Sequence, residues 1–319
     1  MGLIVNGKWV DNWYDTTASK GKFERQESRF RATISNEPDS QYPVEADRYH
    51  LYVSLACPWA HRTLIFRQLK QLEGIISVSV VQAQMLENGW EFGEPGTPYE
   101  DNLYQQQYLY ELYLKSASDY QGRVTVPVLW DKKTQTIVNN ESSDIIRIFN
   151  TAFNQLTGND LDFYPEHFRS DIDQINERIY HTINNGVYRV GFATSQVAYE
   201  QAYDELFESL DWLEQHLSAN RYLMGDTLTE ADWRLLTTLL RFDAVYHGHF
   251  KCNRNKLNEF HHISNYVREL YQVEGIASTV DIPYTKLHYY GSHRTINPTL
   301  VVPKGPEQNF DLPHDRASI

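Results

Sequence analysis

The stretch Ser54-Leu55-Ala56-Cys57-Pro58-Trp59-Ala60-His61-Arg62 sets one thiol at the point where an extended apolar run gives way to a helix. The run before it, Tyr49-His50-Leu51-Tyr52-Val53, is β-branched and aromatic and reads as a strand, whereas Thr63 to Leu72 has helical composition. Pro58 suits the first helical position, because proline lacks only an N–H that would have no intrahelical partner there. Cys57 therefore falls at the N-cap or in the first turn. Backbone N–H groups and the positive end of the helix dipole favour an anion at that place, which lowers a thiol pKa and produces the nucleophilic thiolate. His61 and Arg62 follow within two turns and add positive potential. Ala60 stands where a second cysteine would complete a Cys-x-x-Cys pair, so a covalent intermediate on Cys57 must be released by something else, most simply a diffusible thiol.

Outward from this junction the pattern runs strand (49–54), helix (58–72) and strand (75–82), then a long insert with Trp90, a Gly/Pro-rich loop at 93–98 and a helix over about 102–116. Next comes Arg123-Val124-Thr125-Val126-Pro127-Val128-Leu129-Trp130-Asp131, read as a strand in which Pro127 marks an edge or irregular entry and suits a cis Val126–Pro127 bond. A strand at 136–139 follows. Asn140-Glu141-Ser142-Ser143-Asp144 then opens a helix to about Thr151, with Asn140 or a neighbouring serine as its N-cap. This order predicts a small α/β sandwich. From Phe168 helical periodicity takes over, with stripes at Ile172, Ile175, Ile179 and Ile183 and at Leu206, Leu210, Leu213 and Leu217. Thr229 with Asp232 reads as a capping box ahead of the next helix. A last long helix is expected over 257–272 and a short one near 274–280, followed by an irregular tail.

The chain has 319 residues, 41% hydrophobic and 22% charged, enough for two domains with their own cores. A net charge of −13 and a pI near 5.4 argue against nucleic acid and anionic membranes as main partners. Two cysteines, no long apolar segment and no cleavable leader point to a reducing compartment, the cytoplasm. Most of the 22 tyrosines and seven tryptophans suit core and interface packing. His247, His249 and Cys252, with His261 and His262, lack the second cysteine pair of a zinc pattern, so no metal is expected. Cys252 has no helix-start context and reads as structural.

With Cys57-Pro58 at the first strand-helix junction, Val126-Pro127 before the third strand, Glu141-Ser142 at the last sandwich helix and a capping box in a following helical domain, the chain resembles the cytosolic glutathione transferases. More narrowly it resembles the Xi class, the glutathionyl-hydroquinone reductases. That likeness is carried by Gly21-Lys22-Phe23, Ala56 to Arg62, Asn88-Gly89-Trp90, Thr125 to Asp131, Asn140-Glu141-Ser142, His249 to Asn253, and the tail from Tyr289 to Pro306. It implies a glutathione transferase fold: an N-terminal extension (1–47), an α/β thioredoxin-like glutathione-binding domain (48–155), an all-α helical domain (165–282) and a C-terminal tail (283–319).

The resemblance also implies a site. In such a fold a cis proline turns the Val126 backbone toward an extended peptide, with Val124 and Pro127 beside it, and glutathione is such a peptide. Its γ-glutamyl carboxylate suits the helix start at Ser142, its ammonium Glu141, and its glycyl carboxylate Arg123, while Trp90 packs on the peptide. Taken singly, Glu141 and Ser142 also suit plain capping, Trp90 a core and Arg123 a solvated charge. Family positions add Tyr188, Tyr246 and Tyr289 around the thiol, although spacing does not separate Tyr290 from Tyr289. A tyrosine offers an apolar face to a quinoid ring and a phenol for proton transfer. The reaction implied is glutathione-dependent reduction of glutathionyl-hydroquinones through a Cys57-glutathione mixed disulfide, with Tyr188 as first choice of proton donor. Glutathione is the co-substrate, and a homodimer follows by analogy. An Omega-like thioltransferase or dehydroascorbate reductase, and a non-catalytic scaffold of the same fold, are the alternatives.

Overall fold

The computed structural model describes residues 2–319 and divides into two compact units. One comprises the chain up to Trp13 together with Gln26–Leu161; the other comprises Tyr14–Arg25 and Asp162–Ile319. The N-terminal extension read from sequence as one segment is thus shared between the two.

The first unit begins with an antiparallel pair, β1 (Leu3–Val5) and β2 (Lys8–Val10). Its main sheet contains β3 (Tyr49–Val53) and β4 (Ile76–Val80), and between these strands lies helix α1 (Pro58–Leu69). All five residues of β3 are buried because the strand is central, parallel to β4 on one side and antiparallel to a later strand on the other. Its histidine, His50, bonds Ser77 Oγ at 2.7 Å, and burial pushes its imidazole down to about 3, so it is a neutral core residue.

The insert forms a tight hairpin of β5 (Met85–Leu86) and β6 (Gly89–Trp90), then helix α2 (Leu109–Ser116). The helix starts later than its composition suggests. The Asp101 carboxylate accepts the N–H groups of Leu103, Tyr104 and Gln106, Gln105 sits at φ 55°, and the segment is held as a loop against the hydroxyl of buried Tyr52. The expected strand from 123 to 131 is split. Strand β7 (Gly122–Arg123) pairs with β1, and β8 (Val128–Asp131) resumes in the main sheet beyond Pro127, which has no N–H to give a ladder. Strand β9 (Thr136–Asn139) completes the sheet in the order β4-β3-β8-β9, and α3 (Ser142–Thr151) packs against α1. A short turn of helix, α4 (Asn154–Thr157), ends this part. Arg48 clamps the end of β8 with a buried bidentate bond to Asp131 (2.9 and 2.7 Å); burial opposes ionisation of that carboxyl, but Arg48 wins and holds it below the usual range.

The second unit is helical: α5 (Arg169–Ile179), α6 (Gly186–Gly191), α7 (Gln196–Leu217), α8 (Glu230–Arg241), α9 (His261–Tyr271) and α10 (Ile282–Ser292). The α7 leucine stripe is fully buried, whereas Ile175 of α5 is half-exposed and Asn176 takes the inner place, bonding Glu230. Thr229 and Asp232 form the expected capping box; Asp232 also accepts the N–H of Leu223 and the hydroxyl of Tyr266. Two segments differ from the sequence reading. The tail expected to be irregular opens with α10, capped by Asp281 accepting Tyr284 N–H at 2.8 Å, with Pro283 in the first turn. Leu257–Glu259 is a separate single turn ahead of α9. The end of the tail is pinned by buried Arg316, which donates to the carbonyls of Leu217 and Arg221. No helix among the described residues is long and apolar enough to cross a membrane.

Candidate active site

In the first unit Cys57 is the N-cap of α1, in extended backbone conformation (φ −76°, ψ 118°), with Pro58 next to it. The turn is built by main-chain bonds, Cys57 N–H to Ser54 carbonyl (3.2 Å) and His61 N–H to Cys57 carbonyl (2.9 Å). Its side chain does not cap the helix. The thiol is half-buried and points at the Val126 carbonyl oxygen, 3.6 Å from sulfur, at the cis Val126–Pro127 corner. His61 and Arg62 are buried in the first turns of the same helix, the Arg62 guanidinium lying 4.6 Å from the Trp59 ring. Cys252 stands in contrast: it is fully buried, and burial pushes its thiol well above the ordinary value.

The other residues expected to hold glutathione are placed as follows. Val124 and Val126 are buried on the segment leading into Pro127. Glu141, rather than Asn140 or a serine, is the N-cap of α3: one carboxylate oxygen accepts Ser143 N–H (3.1 Å) and Oγ (3.0 Å), the other the Ser28 hydroxyl (3.0 Å). Asn140 faces away from the helix, bonding Phe30 N–H and the Tyr113 hydroxyl. Ser142 is the buried first residue of α3. Arg123 is buried in β7 and donates to the Asn12 carbonyl. Trp90 is buried in β6 opposite Met85.

Sequence reasoning missed the residue that ties these pieces together. The Tyr113 hydroxyl, fully buried on α2, donates to the Thr125 carbonyl (2.8 Å), accepts Thr125 N–H (3.2 Å) and meets Asn140 Nδ2 (3.1 Å). One phenol thereby fixes both the Val126–Pro127 corner and the approach to Glu141. Nothing in the spacing distinguishes it from an apolar-face aromatic.

In the second unit Tyr188, Tyr246 and Tyr289 come together. Tyr188 and Tyr289 hydroxyls lie 2.5 Å apart, and those of Tyr289 and Tyr246 3.2 Å. Tyr290 is outside the trio, its hydroxyl directed to the Ala244 carbonyl. Tyr246 and Tyr289 are fully buried, and burial raises their phenols well above the ordinary value; Tyr188 is the least buried at 8% exposure. Two π-helical turns, Tyr180–Asn184 and Phe242–Tyr246, bring Tyr188 and Tyr246 into register. Phe250 stacks on Tyr246 (5.4 Å) and meets Tyr188 and Tyr289 edge-on. It fits only because residue 191 is glycine: a Cβ there would stand 2.2 Å from the Phe250 ring. Beside Tyr289, His249 Nε2 and His293 Nδ1 lie 3.1 Å apart. No group of three or more potential ligands able to hold a metal occurs among the described residues.

Family models for the glutathione S-transferase N-terminal and C-terminal domains match residues 56–152 and 196–269. The glutathionyl-hydroquinone reductase YqjG of Escherichia coli K12 is 53% identical, over 99% of this chain and 98% of that protein. The glutathione-bound structure of YqjG superposes with a TM-score of 0.87 at 52% identity, covering 91% of this chain and 96% of that one. A Xi class transferase from Natrialba magadii superposes with a TM-score of 0.94 at 48% identity, covering 100% and 98%. The chain thus belongs to the glutathione S-transferases, enzymes that join a thioredoxin-like domain to a helical one. Within that family it is a Xi class member, of the group of the glutathionyl-hydroquinone reductases.

Two outcomes follow from the geometry. Iodoacetamide should alkylate Cys57 in the folded protein about 100-fold faster than Cys252 or more, as read by peptide mass spectrometry, because only Cys57 is both accessible and at a helix start. Burial pushes His249 down to about 4 and His293 well below its ordinary value, so the folded state binds fewer protons than the unfolded one between about pH 4 and 6.5. Stability is therefore expected to fall as pH drops through that window, by on the order of 3 kcal/mol for His249 alone. Urea unfolding of wild type and His249→Gln across the window should show the smaller loss in the variant.

Proposed function

We propose that this protein is a glutathione-dependent reductase that removes glutathione from glutathionyl-hydroquinones. The observation that carries the reading is the Cys57 thiol at the N-cap of α1, directed at the Val126 carbonyl, in a chain whose near-full-length relative bears that enzymatic name.

The Cys57 thiolate attacks the sulfur of the aryl thioether. The aryl carbon–sulfur bond breaks, its electron pair stays on the ring carbon, and a Cys57-glutathione disulfide forms. The ring carbon takes a proton, giving the hydroquinone. A second glutathione, as thiolate, attacks the mixed disulfide, giving oxidised glutathione and regenerating the Cys57 thiolate. The sum is one glutathionyl-hydroquinone and one glutathione converted to hydroquinone and oxidised glutathione, with ping-pong kinetics. Ala60 in place of a second cysteine suits this cycle, since release falls to the diffusible thiol.

Tyr188 is the proton donor of this reading. It is the least buried of the three phenols, and its oxygen has the Tyr289 hydroxyl at 2.5 Å to stabilise the phenolate left behind. Tyr246 backs Tyr289 in turn. Glutathione itself is read as held by Val124, Val126 and Pro127 along its backbone, by Glu141 and Ser142 at its γ-glutamyl end, and by Arg123 and Trp90. The protein acts without a metal, as a cytoplasmic homodimer.

Turnover of a glutathionyl-hydroquinone by purified wild type, Cys57→Ser and Tyr188→Phe tests the reading. Cys57→Ser should lose about 1,000-fold or more in kcat and fail to form the adduct that oxidised glutathione places on wild-type Cys57. Tyr188→Phe should lose about 10- to 100-fold in kcat with little change in the KM for glutathione. An enzyme that reduces dehydroascorbate and simple mixed disulfides but leaves glutathionyl-hydroquinones intact would be an Omega-like thioltransferase instead. Full biological function in Cys57→Ser, with no adduct on wild type, would mark a scaffold.

A further inference from the structure

An N-terminal segment, Tyr14–Arg25, is part of the helical unit that carries Tyr188. The segment is held in fixed register. Gly21, at φ 87°, receives Thr194 N–H on its carbonyl (3.0 Å) and donates its own N–H to Thr16 (2.8 Å), and a Cβ at 21 would lie 2.5 Å from Ser195 Oγ. The Thr16 and Thr194 hydroxyls pair at 2.7 Å. Two residues beyond Gly21, Phe23 is buried with its ring stacked 6.5 Å from that of Tyr188 and Tyr14 against its edge. Two residues further, Arg25 donates from Nε to Asn185 Oδ1 (3.2 Å), and its guanidinium carbon stands 5.0 Å from the centre of the Tyr188 ring. Asn185 belongs to the same turn as the phenol, since its carbonyl accepts Tyr188 N–H at 3.1 Å.

We propose that Arg25 is a positioning residue for the reductase reaction, acting through Tyr188: it fixes the ring and stabilises the negative charge that the phenol acquires on giving up its proton. The inference rests on Tyr188 being the donor. A cation over the face of a phenol is attracted to the ring quadrupole, and the attraction grows when the ring becomes a phenolate, so the phenol beneath it is a stronger acid than it would be alone. Tyr289 from α10, Tyr246 from the π-helical turn, and the uncharged rings of Phe192 and Phe250 also stand around Tyr188. Arg241, which donates to the Thr237 carbonyl, acts on Tyr246 and Tyr289; His249, His288 and His293 lie against Tyr289. Arg189, next in sequence, is paired with Glu205. Arg25 stands over the face of the Tyr188 ring itself.

The test is a double-mutant cycle with pH profiles of kcat, using a glutathionyl-hydroquinone and glutathione. Arg25→Gln should lower kcat about tenfold, leave the KM for glutathione within about twofold, and move the alkaline limb of the profile, where the donor loses its proton, upward by about one unit. Arg25→Lys should recover part of both effects, and adduct formation on Cys57 with oxidised glutathione should be unchanged in either variant. In a Tyr188→Phe background Arg25→Gln should cost nothing further. The same fold-loss in both backgrounds, or a loss of kcat with an unmoved alkaline limb, overturns the inference while leaving the reductase reading in place. Undiminished kcat in Tyr188→Phe alone overturns the donor assignment, and the role of Arg25 with it.

Discussion

The α/β unit depends on where one helix begins. Strand β3 is buried along its whole length between β4 and β8, so its end cannot shift without disrupting two ladders. Pro58 then fixes the first helical residue, and the thiol of Cys57 just before it faces the Val126 carbonyl. Position, not an unusual side chain, gives Cys57 its character. The second cysteine carries the same functional group, but it is fully buried and burial pushes its thiol well above the ordinary value.

That junction was legible because its signals are local: a β-branched run, a proline, a helical run. Strand β9, helix α3 and the capping box at Thr229 were legible for the same reason. The differences arise where a distant partner outweighs local propensity. Asp101, which also accepts the hydroxyl of the distant Tyr52, takes the amides that would otherwise have extended α2. The strand expected through Pro127 divides because β7 finds its partner in β1, more than a hundred residues away in sequence. Helix α10 was hidden by a composition rich in tyrosine and histidine, although Asp281 and Pro283 are ordinary start signals in retrospect. The π-helical turns leave no mark in single-sequence periodicity.

The site shows the same division. The thiol at the start of α1 is readable from sequence as a helix-start residue, whereas the carboxylate that caps α3 is not, since local signals point to Asn140 or a serine and Glu141 takes the place. Tyr113, which braces both the Val126 segment and Asn140, is visible only once its hydroxyl partners are known. The tyrosine trio is intermediate: family likeness singled out the three positions, but only the hydroxyl distances separate Tyr289 from Tyr290. Gly191 belongs with them, because the space its missing side chain leaves is filled by the ring against which the phenols are ordered.

The outer strand of the main sheet has one more consequence. Phe30 and Ala32 bond along β9, through Asn140 N–H to the Phe30 carbonyl and Ala32 N–H to the Val138 carbonyl, and Arg31 closes the seam on Asp144. A sheet margin that would otherwise offer a template for intermolecular β-pairing is therefore sealed by the chain's own leading residues. The stretch ahead of the first long strand doubles as a guard against fibrillar self-association, and trimming it past Ala32 would uncover adhesive backbone along β9 as well as remove the buried side chains of Ile4 and Phe23.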